Sequence, residues 1–182
     1  CVIIDKDKIS PHDSKIIIIT GGIGSGKSFV CRYLNFFGFI VISSDQIAKE
    51  VMSEPQVASA LHQTYSLSDI EKIVHPLVQI KRKKLVEYYY KLKKTVIVET
   101  ALFFESKNMR PDPDIIISLS APLHIREKRA LKRQNMDYHK LKMVVSRQMS
   151  EEERNAKADC VVHTYKSKDE TIKQINNIFM IK

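Results

Sequence analysis

The sequence predicts an α/β fold: a five-stranded parallel sheet with helices on both faces, arranged in three layers. Three observations carry that prediction. Five short, strongly apolar runs alternate with helical spacing along the 182 residues. The first run, KIIIIT, is β-branched after its lysine, which is the composition of a strand buried on both faces. Four of the chain's 5 glycines, Gly21, Gly22, Gly24 and Gly26, crowd into one loop directly after it.

The elements follow in order. Lys15 to Thr20 is the first strand. A helix opens near Gly26, with apolar residues at Val30, Leu34 and Phe37, and stops at Gly38. Phe39 to Ser43 is the second strand, so the chain starts as a right-handed parallel βαβ unit. Asp45 to about Lys94 reads as helical, ending in the basic, apolar-striped helix Lys81 to Lys94. Thr95 to Glu99 is the third strand, and Asp114 to Ser120, introduced by PDPD, is the fourth. Ala121 to Arg133 is a basic helix and Tyr138 to Ala156 another. Asp159 to His163 is the fifth strand, and Lys168 to Met180 closes the chain as a helix. No internal repeat or low-complexity linker appears. We expect an N-terminal extension over 1–14 and one domain over 15–182.

Composition bounds the function classes. With 30 Lys+Arg against 21 Asp+Glu, the net charge is +9, which suits an anionic partner without choosing among nucleotide, coenzyme, nucleic acid and membrane. Cys1, Cys31 and Cys160 are odd in number and contain no C-x-x-C, so neither a disulfide framework nor a zinc site is expected, and a reducing, cytoplasmic setting fits best. No apolar run approaches the roughly 20 residues of a membrane span, so no membrane association is expected. Oligomeric state is expected to be a monomer or a weak homo-oligomer.

The glycine-rich loop carries the chemistry. Gly21-Gly22-Ile23-Gly24-Ser25-Gly26-Lys27-Ser28 fits G-x-x-x-x-G-K-[ST], between a buried strand and a helix. Aiming several backbone N–H groups at one phosphate chain needs a tight path that glycine permits. The helix start adds partial positive charge. Lys27 supplies a full charge at the β/γ-phosphates and Ser28 a hydroxyl for Mg²⁺. The loop therefore implies ATP or a related triphosphate with Mg²⁺, on a P-loop NTPase-type fold. A dinucleotide site of the G-x-G-x-x-G kind is excluded, because Lys27 stands where the third glycine would fall.

Asp45 lies just past the second strand, where ligands gather beside the loop. It can accept a proton from an acceptor hydroxyl or hold a Mg²⁺-bound water. Ser44 or Asp45 equally suits the N-cap of the helix that follows. Glu99, closing the third strand, can orient a Mg²⁺ water. Arg129 and Arg133 are spaced i, i+4 on one face of the basic helix, the geometry of a phosphate clamp or of a solvated face. His75 precedes Pro76, a pairing that also marks helix boundaries.

These motifs resemble dephospho-coenzyme A kinase. The resemblance is carried in order by TGGIGSGKS, by the strand ending S-x-D-x-I-A, by IVHPLV (Ile73 to Val78), by VIVETALFFE (Val96 to Glu105), by RALKRQNM (Arg129 to Met136) and by RQMSEEERNAKADCVV (Arg147 to Val162). It implies transfer of the ATP γ-phosphate to the ribose 3′-hydroxyl of dephospho-CoA, giving CoA and ADP, the last step of CoA synthesis. Asp45, Lys27 and Arg133 are then the catalytic residues. Nucleotide contacts fall to Gly22, Gly24, Ser25, Gly26, Lys27, Ser28 and Phe29 in the loop, with Arg129 and Arg133 from a lid over about 123–156. Asp45, His75 and Glu105 line the acceptor site, in a helical region of about 46–94. Ser28 and Glu99 serve the metal. The implied partners are ATP and dephospho-CoA, not nucleic acid.

The chain departs from the family pattern at Ser43, Ala101, Met143 and His163-Thr164-Tyr165. Only 29 residues separate Asp45 from His75. Either the acceptor region is trimmed or Lys81, Arg82, Lys83 and Lys84 supply the anionic grip. Two other readings compete: another small-molecule kinase of this fold, and a non-catalytic nucleotide-binding or nucleic-acid-binding module. The consecutive Tyr88, Tyr89 and Tyr90 cannot share one helix face, which weakens the latter.

Overall fold

The computed structural model describes residues 8–63, 66–106 and 112–181. Its core is a five-stranded sheet in the order β2-β3-β1-β4-β5. The strands are β1 (Ile16–Thr20), β2 (Ile40–Ser43), β3 (Val96–Glu99), β4 (Ile115–Ser120) and β5 (Cys160–His163), and every pairing is parallel. The helices are α1 (Lys27–Phe36), α2 (Ser44–Ser53), α3 (Pro55–His62), α4 (Leu67–Lys91), α5 (Leu123–Ala130), α6 (Tyr138–Arg147), α7 (Glu151–Lys157) and α8 (Lys168–Ile178).

The strand β1 is central and buried at all five positions, as its composition requires. Its alternate side chains feed two separate cores. Ile17 and Ile19 pack with Val30 and Leu34 of α1 and Ile175 and Ile178 of α8. Ile16 and Ile18 pack with Ile47 and Val51 of α2, Val57 of α3 and Val74, Val78 and Val86 of α4. The three-layer prediction holds on that account. Because β3 and β4 flank β1 on opposite sides, the chain reverses direction across the sheet at β1, and a crevice opens at the carboxyl ends.

Several sequence expectations change. The chain is tied to the body before residue 15: Ile9 is buried, bridges Phe179, and exchanges hydrogen bonds with Ile178 O and Met180 N, while Pro11 O accepts from Thr95 N. The helix expected to begin at Lys81 is the second half of α4, a 25-residue helix with Pro76 inside it rather than at a boundary. The basic helix ends at Ala130, three residues short of Arg133. The expected Tyr138 to Ala156 helix is two helices, because Gln148, Met149 and Ser150 leave helical geometry between α6 and α7. Cys31 is a free, buried thiol, whereas Cys160 is disulfide-bonded, which the odd cysteine count and spacing did not suggest.

Candidate active site

The loop from Gly21 to Ser28 joins β1 to α1. Gly24 (φ 76) and Gly26 (φ 93) hold left-handed backbone. At Gly24 a Cβ would also run into the backbone carbonyl of Arg126 from α5, so space and conformation both demand glycine. Lys27 folds back into the loop, its Nζ donating to Gly21 O at 2.8 Å and Gly22 O at 3.3 Å. Burial lowers its pKa from 10.5 to about 8, against the opposing pull of the Asp45 and Glu99 carboxylates. A lysine kept among carbonyls and desolvated is short of anionic partners, which a phosphate would supply. Ser25 Oγ is buried without a hydrogen-bond partner in the same loop.

Ser28 Oγ donates to Glu99 Oε1 at 3.1 Å, so the first turn of α1 and the end of β3 meet. Among the described residues no three His, Cys, Asp or Glu side chains gather into a metal cluster. The donor set fits Mg²⁺ carried in on phosphate oxygens and met by one hydroxyl and one carboxylate, rather than a cage built by protein alone.

Beside the loop lies a cleft of about 370 Å³. Asp45 lines it from the first turn of α2. The N-cap is neither Ser44 nor Asp45 but Ser43, whose Oγ accepts from Gln46 N at 3.4 Å. Capping by Ser43 leaves the Asp45 carboxylate to face the cleft that Lys27 also lines. The far wall is one face of α4. Glu71, Val74, His75, Val78, Gln79 and Arg82 recur at intervals of three and four, so a single helix presents them all. Of the basic run, Arg82 alone reaches the cleft: Lys81 pairs with Glu50 at 3.0 Å and Lys83 with Glu87 at 3.8 Å.

The two arginines expected to share a helix face part company. Arg129, on α5, donates to Thr164 O at 2.6 Å and to Gly24 O at 3.4 Å, beside a smaller hollow lined by Gly26, Phe29 and Lys168. Arg133 follows the end of α5 and lines the main cleft, close enough to Lys27 to depress its pKa. Glu105 is not among the cleft-lining residues. Its Oε1 accepts from Met149 N at 2.6 Å and it sits in the field of buried Arg154, which makes it a brace for the α6–α7 break.

Sequence reasoning passed over two supports of the loop. Arg126 Nε donates to Ala121 O at 2.9 Å and Glu151 Oε2 at 3.1 Å, and its Nη1 reaches Ile23 O at 3.4 Å. Gln148 Oε1 accepts from Ile23 N at 2.9 Å. Neither has a local signature as a support of the loop, since their contacts with Ile23 span 103 and 125 residues. The pairing of Arg147 has no local signature either: its guanidinium meets Glu71 at 2.9 Å and joins α6 to α4.

The sequence model of the dephospho-CoA kinase family matches residues 15–66 and 59–170. A dephospho-CoA kinase of Bartonella henselae is 33% identical, over 92% of this chain and 97% of that protein. A solved structure, TT1252 from Thermus thermophilus, superposes with a TM-score of 0.68 at 26% identity, covering 94% of this chain and 96% of that one. Dephospho-CoA kinase from Campylobacter jejuni shares the fold at a TM-score of 0.62 and 22% identity, covering 91% and 97%.

Proposed function

The chain belongs to the dephospho-CoA kinase family, and from that premise we propose that it transfers the γ-phosphate of ATP to the 3′-hydroxyl of dephospho-CoA, releasing CoA and ADP. The observation that carries this reading is one cleft lined at once by Lys27 of the phosphate loop, Asp45 of α2 and His75 of α4.

In this mechanism the Gly22–Ser28 amides and the N-terminus of α1 cradle the ATP phosphates. Lys27 leaves the Gly21 and Gly22 carbonyls for the β/γ-phosphates and regains its charge there. Ser28 and Glu99 would hold Mg²⁺, which would supply neutralisation of the phosphate oxygens. Asp45 takes the proton from the acceptor hydroxyl as the bond to phosphorus forms. Arg133 balances charge growing on the transferred group. Arg129, Phe29 and Gly26 hold the nucleotide near the smaller hollow. The region of about 46–94 holds the acceptor, with His75 on its wall, and the segment over about 123–156 closes as a lid that excludes water. Glu105 enters as the brace of that lid rather than as an acceptor contact.

Among the described residues no helix is long and apolar enough to cross a membrane. Action in the cytoplasm, as a monomer or weak homo-oligomer and without nucleic acid, completes the proposal. A coupled ADP-release assay with ATP, Mg²⁺ and dephospho-CoA, run beside adenosine, AMP and no acceptor, tests it. ADP release that requires dephospho-CoA, with CoA found by mass, is the expected result. Release with AMP alone would assign the cleft to another acceptor.

A further inference from the structure

We propose that Arg82 is the acceptor-specificity residue of the cleft, gripping the 5′-diphosphate of dephospho-CoA while the ribose 3′-hydroxyl faces Asp45. This rests on the dephospho-CoA reading above and names the group that tells that acceptor from a plain nucleoside.

Four features of Arg82 point to an anion. It is 5% exposed, yet it lines the cleft. Among the described residues its one hydrogen bond is a long one, Nη1 to Ser44 Oγ at 3.4 Å, which leaves most of the guanidinium's five N–H donors unused there. Among the described residues no carboxylate lies within ion-pairing distance of it, although its neighbours Lys81 and Lys83 both have acidic partners. Burial pulls its pKa down and no acid opposes the pull. A buried, unpaired guanidinium is costly unless something anionic completes it, and its planar fork matches phosphate oxygens.

Position selects which anion. Ser44, the partner of Arg82, adjoins Asp45, and Arg82 lies seven residues beyond His75, on the same face of α4. The triphosphate loop is served by other cations, Lys27 and Arg129. The cleft is also lined by apolar Val74, Val78, Ala48 and Leu102, a surface for a nucleoside. An acceptor that joins a nucleoside carrying a reactive hydroxyl to a diphosphate matches a cleft that offers an apolar surface, a carboxylate and a cation together.

The test compares wild type with Arg82→Gln and Arg82→Lys, using dephospho-CoA and ATP as varied substrates and thermal melting as a fold check. Losing a charge-assisted bond of this kind should raise the dephospho-CoA KM roughly 10- to 100-fold in Arg82→Gln, with the ATP KM and the kcat near wild type. Arg82→Lys should recover part of the loss, because it keeps charge without the fork. If the wild type turns over dephospho-CoA and Arg82→Gln keeps its acceptor KM, the proposal is overturned while the function stands. If Arg82→Gln does not fold, an unchanged acceptor KM in Arg82→Lys overturns it and a raised one supports it. If the wild type does not turn over dephospho-CoA, the functional reading fails, and this inference with it.

Discussion

The two walls of the cleft are built on different principles. The phosphate-loop wall is backbone: left-handed glycines, a helix start, and a lysine folded among carbonyls, all within Gly21 to Ser28. The opposite wall is side chain: one face of α4, set against α2 by the second core. A backbone site recognises what every nucleoside triphosphate shares. A wall of side chains recognises what is particular to one acceptor, and it can be changed one residue at a time without breaking the loop.

The largest effect is expected on the loop wall. Lys27→Ala should lower kcat/KM on the order of a thousandfold or more, because it removes the one full charge in the cradle. The coupled assay reads that loss, while thermal melting should show no destabilisation, since a desolvated amine goes with it. Asp45→Asn sits where the walls meet. It should lower kcat on the order of 10² to 10⁴ and leave ATP affinity intact, as calorimetry with ATP would show. Normal turnover by that variant would remove Asp45 as the base.

A pH series sharpens the comparison further. The free-protein Lys27 pKa of about 8 lies below its ordinary 10.5. Through that window the folded state binds fewer protons than the unfolded, so this group's contribution to stability rises with pH while its grip on phosphate weakens. ATP should therefore bind about tenfold more weakly at pH 9 than at pH 7. A flat profile would mean that the amine keeps its proton in the empty loop. The smallest effect belongs to the exposed Arg147–Glu71 pair, where Arg147→Ala should cost less than about 1 kcal/mol of stability by chemical denaturation. A larger cost would mean that the pair ties α6 to α4 as a structural strut.

Some of this was legible without coordinates. The strands were, because a strand buried on both faces leaves an unbroken apolar run. The loop was, because its conformation needs glycine at particular positions. The Ser28–Glu99 contact was not, because it depends on β3 lying next to β1, which no local pattern states. Helix ends were less legible. No glycine or proline marks the break at Gln148–Ser150. At that break the Met149 N–H bonds Glu105, 44 residues away, instead of a helical carbonyl, and the one local sign is Ser150, which caps α7 by accepting from Glu153 N. The basic helix likewise ends at Ala130 with nothing local to stop it, and that shift moves Arg133 from the Arg129 side into the main cleft.

Arg82 marks the division. Its place on the cleft face of α4 follows by counting seven residues from His75, but only once α4 is known to run unbroken through Pro76. A proline in a sequence reads as a boundary, and whether a helix passes through it depends on packing that the sequence does not display. By itself the sequence determined the sheet, the phosphate loop and the kind of ligand, because each of these is specified by residues adjacent in the chain. The tertiary structure decided which of four adjacent basic residues faces the cleft, which arginines stand together, and that Glu105 braces the α6–α7 break. Those depend on which elements pack against each other, and contacts across a hundred residues leave no local pattern to read.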